Sequence, residues 1–250
     1  MMHFYISILF GIPIICYIYL HLMRKISITQ FNKIVESIEN VDVIVITSEN
    51  ESIESKYIVP INDSQKFVNI LRENANTNKN LFLIIHCLGG SVIESDIIIN
   101  SILRHNNPIY TFIPNYASSA ATLIALATKK IYMDTYAFVS PTDPQITLDN
   151  GEVYSSKVLN EYLKLKIKSE DDNLILSALD AKVFHKDNIR TIKKIMKNKK
   201  ISKKFINIIS KGNYPHHYPI YSNELKKYGL NVCQCIPNCI SLIFEKFILL

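Results

Sequence analysis

The sequence predicts an α/β domain built on a mostly parallel sheet, preceded by one apolar helix long enough to cross a bilayer. Three observations carry this reading. Short β-branched runs alternate with amphipathic stretches through the middle of the chain, the pattern of parallel strands joined by crossover helices. Apolar residues make up 48% of the 250 and charged residues only 20%, a balance that fills a core and excludes wholesale disorder. Finally, Phe4–Met23 holds twenty residues without Asp, Glu, Lys or Arg. At about 1.5 Å per residue it spans roughly 30 Å, the hydrocarbon thickness.

The apolar segment reads as a retained anchor. Tyr5, Tyr17 and Tyr19 lie near its ends, where amphipathic rings favour the membrane interface. Arg24 and Lys25 follow the run, and no small-residue cleavage pattern appears after it; a signal peptide carries its charge in front. Positive charge on the C-terminal flank assigns the following domain to the cytoplasmic side. The expected organisation is an anchor over 1–25, a domain over 26–230 and a cysteine-containing apolar tail over 231–250. His3, Cys16 and His21 belong to the anchor or its edge and carry no ligand role.

Along the domain, Val41–Thr47 is a short β-branched run read as a buried strand. Ser64–Ala75 follows as a helix with Phe67, Ile70 and Leu71 on one face. A second strand covers Leu81–His86 and ends in Cys87-Leu88-Gly89-Gly90-Ser91. Over Val92–Leu103 the period returns to that of a helix, with Val92, Ile93, Ile97, Ile98 and Ile102 forming its stripe. Ile109–Ile113 and Lys130–Met133 are the third and fourth strands, flanking a helix of small residues over Ser119–Thr128. Beyond Gly151 the chain reads as helical to about Ser210.

Two places combine a strand end, a tight turn and a helix start. At Gly89-Gly90 the backbone can reach positive φ, and its bare N–H groups can point at a ligand. At Ser118-Ser119-Ala120-Ala121 a serine opens a helix; taken alone, such a serine is an N-cap.

Together these two places resemble a known pattern. His86-Cys87-Leu88-Gly89-Gly90-Ser91, Tyr116-Ala117-Ser118-Ser119-Ala120-Ala121-Thr122 and Ser140-Pro141-Thr142-Asp143-Pro144-Gln145 are similar, in order, to motifs of the serine dehydrogenase proteinase family. That family consists of membrane-anchored relatives of signal peptide peptidase A within the ClpP/crotonase-like superfamily. Asp171-Asp172-Asn173 and His216-His217-Tyr218-Pro219 also fit, so the resemblance spans roughly 40–230. It implies a spiral of ββα units and a serine peptidase acting on peptides or membrane proteins. Ser119 falls on the nucleophile position, and the backbone N–H groups of Gly90, with Gly89 beside it, and Ala120 fall on the oxyanion hole. The resemblance also implies a homo-oligomer.

The base is left open. The stretch after Ser119 where the Clp protease subunit carries its histidine contains Pro144 and no histidine. The signal-peptide-peptidase branch uses a lysine instead, which serves when burial keeps the amine neutral. Lys157, 38 residues after Ser119, and Lys182 are the candidates; His86 reads as a strand-end hydrogen bonder. The family's S-A-G is Ser119-Ala120-Ala121 here, and its T-P-G-G is Cys87-Leu88-Gly89-Gly90. An inactive scaffold of the same fold is therefore the alternative, and acyl-CoA chemistry on the same fold a weaker third.

Other features receive plainer readings. The formal charge is +6 and the pI near 8.9, well short of a nucleic-acid-coating protein. Nine basic residues between Lys186 and Lys204 form a solvated helix face, with anionic lipid as the alternative partner; no aromatics interleave them for nucleic acid. Cys233, Cys235 and Cys239 fall short of the four ligands of a tetrahedral zinc site, unless His216 or His217 joins them, and read as free thiols. No metal or other cofactor is expected, and no phosphate-binding glycine loop is present.

Overall fold

The structure, a computed structural model, describes residues 29–38, 41–48, 55–165, 172–197, 199, 201–240 and 243. The anchor segment 4–23 lies outside the described residues. Among those described, no helix is long and apolar enough to cross a membrane.

A six-stranded sheet forms the centre. Its strands are β1 (Val41–Thr47), β2 (Ile58–Pro60), β3 (Asn80–His86), β4 (Ile109–Ile113), β6 (Lys130–Met133) and β11 (Val232–Gln234). They lie in the order β11-β6-β4-β3-β1-β2, with every neighbouring pair parallel. Parallel neighbours need crossovers, which helices supply: α2 (Ser64–Ala75), α3 (Val92–Arg104) and α4 (Ala120–Ala127). The alternation along each strand decides which side faces which layer. Ile44, Ile46, Leu83, Ile85 and Ile113 point into the larger core with α2, α3 and α4. Val43, Phe82, Ile84 and Phe112 face the opposite side, where Phe31 and Val35 of α1 (29–37) and Ile240 pack. Both faces are covered, as near-continuous apolar strands require. The chain beyond residue 230 thus closes one edge of the sheet and part of one face.

Three short strands make a second sheet: β5 (Tyr116–Ala117), β7 (Phe138–Val139) and β10 (Ile220–Tyr221). It joins the end of β3 through a bridge between Cys87 and Ala117. After β7 the chain forms a hairpin of β8 (Gln145–Thr147) and β9 (Val153–Ser155). The helices α5 (Ser156–Lys164), α6 (Asp172–Met196) and α7 (Lys203–Ser210) follow, and α8 (Ser222–Lys227) precedes β11.

Two sequence expectations shift. The buried face of α3 is Ser95, Ile98, Ile99 and Ile102, an i, i+3, i+4, i+7 stripe. Val92, Ile93 and Ile97 are exposed, because the helix sits on α4 by the neighbouring stripe. The run beyond Gly151 is also not helical from its start, since β9 intervenes before Ser155 caps α5.

α4 threads the core with all eight residues buried. Its polar member, Thr122, is fully buried and lies 2.7 Å from Ala117 O, 3.0 Å from Ser140 O and 3.3 Å from Ser140 N through its hydroxyl. The hydroxyl ties the start of α4 to β5 and to the loop after β7. Thr122→Val keeps the bulk and leaves the Ser140 N–H unpaired. It is expected to cost about 1–3 kcal/mol, read as a lower urea midpoint at unchanged slope.

Candidate functional site

Ser119 stands immediately before α4 with φ +52° and ψ −122°, the one residue other than glycine with positive φ among those described. An L-residue there is strained, and the surroundings show what holds it. Ser118 N–H donates to Cys87 O at 2.9 Å, and Ser119 N–H donates to Ser140 Oγ at 3.2 Å. Gly89, at φ +111°, lies so close that a Cβ there would sit 2.8 Å from Ser119 Cβ. Glycine is required at this approach for both reasons. The Ser119 side chain does not cap its own helix, which leaves its hydroxyl available to the pocket beside it.

That pocket has a volume of about 170 Å³ and is lined by Ser119, Gly90, Ala120 and His216, together with residues of α3, α4 and α6. Ala120 opens α4, so its N–H has no intrahelical acceptor. Among the described residues neither Ala120 N–H nor Gly90 N–H donates to a backbone carbonyl outside the helices and strands. The two groups lie on the wall that holds the Ser119 hydroxyl. Gly89 is placed differently: its N–H donates to Cys87 Sγ at 3.4 Å, and it serves as the backing against which Ser119 is pressed.

His216 is the group that sequence reasoning passed over for this site. Its Nδ1 lies 3.0 Å from Asp143 Oδ1, with side-chain exposures of 17% and 2% respectively. Gln145 Nε2 donates to the Asp143 backbone oxygen at 3.1 Å and to Oδ2 at 2.8 Å. Gln145 thus orients the carboxylate, and its Nε2 also lies 3.2 Å from His216 Nδ1; with the ring proton on Nδ1 the imidazole donates to Asp143 and Nε2 is the basic nitrogen. Asp143 is placed by the adjoining Thr142, whose N–H donates to Ile209 O at 2.7 Å. His185, whose Nδ1 lies 3.4 Å from Ser156 Oγ, is held below the ordinary imidazole range by burial, against the pull of the Asp143 carboxylate.

Lys157 opens α5 and its Nζ donates to Asn213 Oδ1 at 2.7 Å; Lys182 is exposed on α6. Neither lines the Ser119 pocket. His86 stacks against Tyr116 with ring centroids 4.5 Å apart and Nδ1 3.3 Å from Asn115 Nδ2, a strand-end arrangement. Ala121, where the family motif has glycine, is buried in the core and away from the pocket lining. His216 pairs with Asp143 and not with the cysteines. Cys233 and Cys235 are free thiols, and the side chain of Cys239 lies outside the described residues. Among the described residues no three His, Cys, Asp or Glu side chains gather as a metal site would need.

A strained serine at a helix start and, lining its pocket, a histidine backed by a carboxylate are features that serine hydrolases share. The chain belongs to the ClpP-like SDH-type serine proteinases, whose family model matches residues 1–248. It is 30% identical over 192 residues to the uncharacterized protein MJ0137 of Methanocaldococcus jannaschii, covering 76% of this chain and 65% of that protein. A second protein of the same organism, MJ1495, is 29% identical over 192 residues, covering 76% and 64%. The chain thus spans a little under two thirds of the length of these relatives. Among solved structures it resembles a variant of the membrane-bound stomatin-specific protease 1510-N in complex with a substrate peptide. There the TM-score is 0.50 at 17% identity, over 82% of this chain and 78% of that one. A second variant of the same protease gives 0.48 at 16%, over 82% of each chain. The first likeness extends the family match to the fold: an α/β architecture with a mostly parallel central sheet, similar to ClpP-like proteases.

The contact between Gly89 and Ser119 yields a sharp expectation. Gly89→Ala is strained at φ +111° and displaces Ser119 by steric contact, so labelling of the serine by a fluorophosphonate probe should fall at least tenfold on a misplaced nucleophile. Circular dichroism should still report the folded α/β spectrum.

Proposed function

We propose that the protein is a membrane-anchored serine peptidase in which Ser119, His216 and Asp143 act as nucleophile, base and orienting carboxylate. The single observation that carries this reading is the His216–Asp143 pair, drawn from distant parts of the chain into the pocket of a strained serine. Ser119 Oγ attacks the scissile carbonyl carbon while His216 Nε2 takes the hydroxyl proton. The carbonyl oxygen becomes the oxyanion and is met by the N–H groups of Gly90 and Ala120. His216 returns the proton to the leaving amine, which departs as the C–N bond breaks. Water then enters by the same acid–base route and releases the acyl group from Ser119.

Two further parts of the reading rest on separate observations. Residues 4–23 form the anchor, with the domain on the cytoplasmic side, as the uncharged apolar run and the Arg24-Lys25 flank support. Self-association is supported by apolar side chains left exposed on α3 and α6, among them Ile93 at 68% and Leu176 at 60%.

Ser119→Ala should abolish probe labelling and peptide hydrolysis in the detergent-solubilised full chain. His216→Ala and Asp143→Asn should each lower hydrolysis by about 10²–10⁴-fold, while Lys157→Ala and Lys182→Ala stay within twofold of wild type. A loss with either lysine equal to that with His216 would move the base to that lysine. For the anchor, the full chain is expected to resist alkaline carbonate extraction from membranes, and deletion of residues 1–25 to release it.

A further inference from the structure

Beyond the reacting groups, the pocket at Ser119 continues between α3, α4 and α6. Its walls are apolar at Leu88, Val92, Ile99 and Leu123. One carboxylate lines it, that of Asp96 on the first turns of α3. The carboxylate is held in place by neutral donors. Thr191 Oγ1 donates to Oδ1 at 2.9 Å and Asn100 Nδ2 to Oδ2 at 2.8 Å. Lys194 Nζ donates to Asn100 Oδ1. Among the described residues no cation stands within ion-pair distance of Asp96.

Asn188 is 5% exposed and lines the same pocket. Its Nδ2 has no partner among the described residues, and its Oδ1 lies 3.4 Å from Thr142 Oγ1. The apolar wall residues and the Asp96 carboxylate, with no cation in ion-pair distance among the described residues, are the two features a bound side chain meets here.

A long side chain with an apolar stem and a cationic head fits both features. The methylenes lie along Leu88, Val92, Ile99 and Leu123, and the head meets a carboxylate partly withdrawn from water, where an unpaired charge is costly. Resting on the peptidase reading above, we propose that Asp96 makes this protein select substrates with lysine or arginine on the acyl side of the bond attacked by Ser119. Asp96 is a specificity residue that touches the substrate side chain.

The test separates selectivity from chemistry by measuring binding. Fluorescent hexapeptides that differ at one position (Arg, Lys, Leu, Met or Glu) are titrated against the full-chain Ser119→Ala protein in detergent, followed by anisotropy. Arg and Lys peptides are expected to bind at least tenfold more tightly than Leu or Met, with Glu weakest. A ranking with Leu or Met at or above Arg overturns the proposal without any change at Asp96. In a Ser119→Ala/Asp96→Asn chain whose melting curve shows it folded, the advantage of Arg should vanish; if it persists, Asp96 is not its source and the proposal falls. Probe labelling of wild-type Ser119, measured in parallel, reports on the peptidase reading separately. Labelling with an apolar binding preference sinks only the specificity, and absent labelling with a basic preference sinks only the chemistry.

Discussion

The site depends on the contact between two turns at the ends of neighbouring strands. One turn carries Gly89-Gly90 after β3, and the other carries Ser118-Ser119 between β5 and α4. The bridge from Cys87 to Ala117 and the hydrogen bond from Ser118 N–H to Cys87 O lock them together. Side chains would keep them apart at this separation, so Gly89 is the enabling residue. That closeness brings Gly90, Ser119 and Ala120 to one side of the same pocket. Parallel strand order supplies the frame, because it brings the carboxyl ends of β3 and β4 to the same edge of the sheet.

Much of the frame was legible in the sequence. Val41–Thr47, Ile109–Ile113 and Lys130–Met133 coincide with β1, β4 and β6, since long β-branched runs leave few alternatives to a buried strand. The small sheet was not legible. β5, β7 and β10 have two residues each, too few for a period to register, and they exist because tertiary neighbours offer them hydrogen bonds. The face of α3 was misplaced for a related reason. Isoleucines crowd almost every side of that helix, so periodicity alone does not single out the stripe that meets α4.

The two turns that carry Gly89-Gly90 and Ser119-Ala120 were visible locally, whereas the histidine–carboxylate pair was not. Asp143 and His216 are 73 residues apart, and neither sits in a spacing that suggests the other. Thr142-Asp143-Pro144-Gln145 and His216-His217 had each been singled out as motif stretches. What was missing was the loop geometry that folds the two together, anchored by Thr142 on Ile209. Attention to lysines followed from the missing histidine just after Ser119. His216 lines the Ser119 pocket just before β10 returns the chain to the small sheet, too far along the sequence for local spacing to single it out.

At the far end of α4, Lys199 donates to Thr128 O at 2.7 Å and also to Leu126 O, with burial lowering its amine to about 8. The helix that begins after Ser119 thus ends on a half-buried amine, and both termini are fixed by groups from elsewhere in the chain. The unusual backbone of Ser119 has a different cost. A glycine at that position would relax the local torsions and leave the neighbouring contacts in place, so the most comfortable occupant of the turn is one without a hydroxyl. Conformational ease and chemical competence therefore oppose each other at this one residue, and selection for thermal robustness alone would drift toward an inert protein of the same shape.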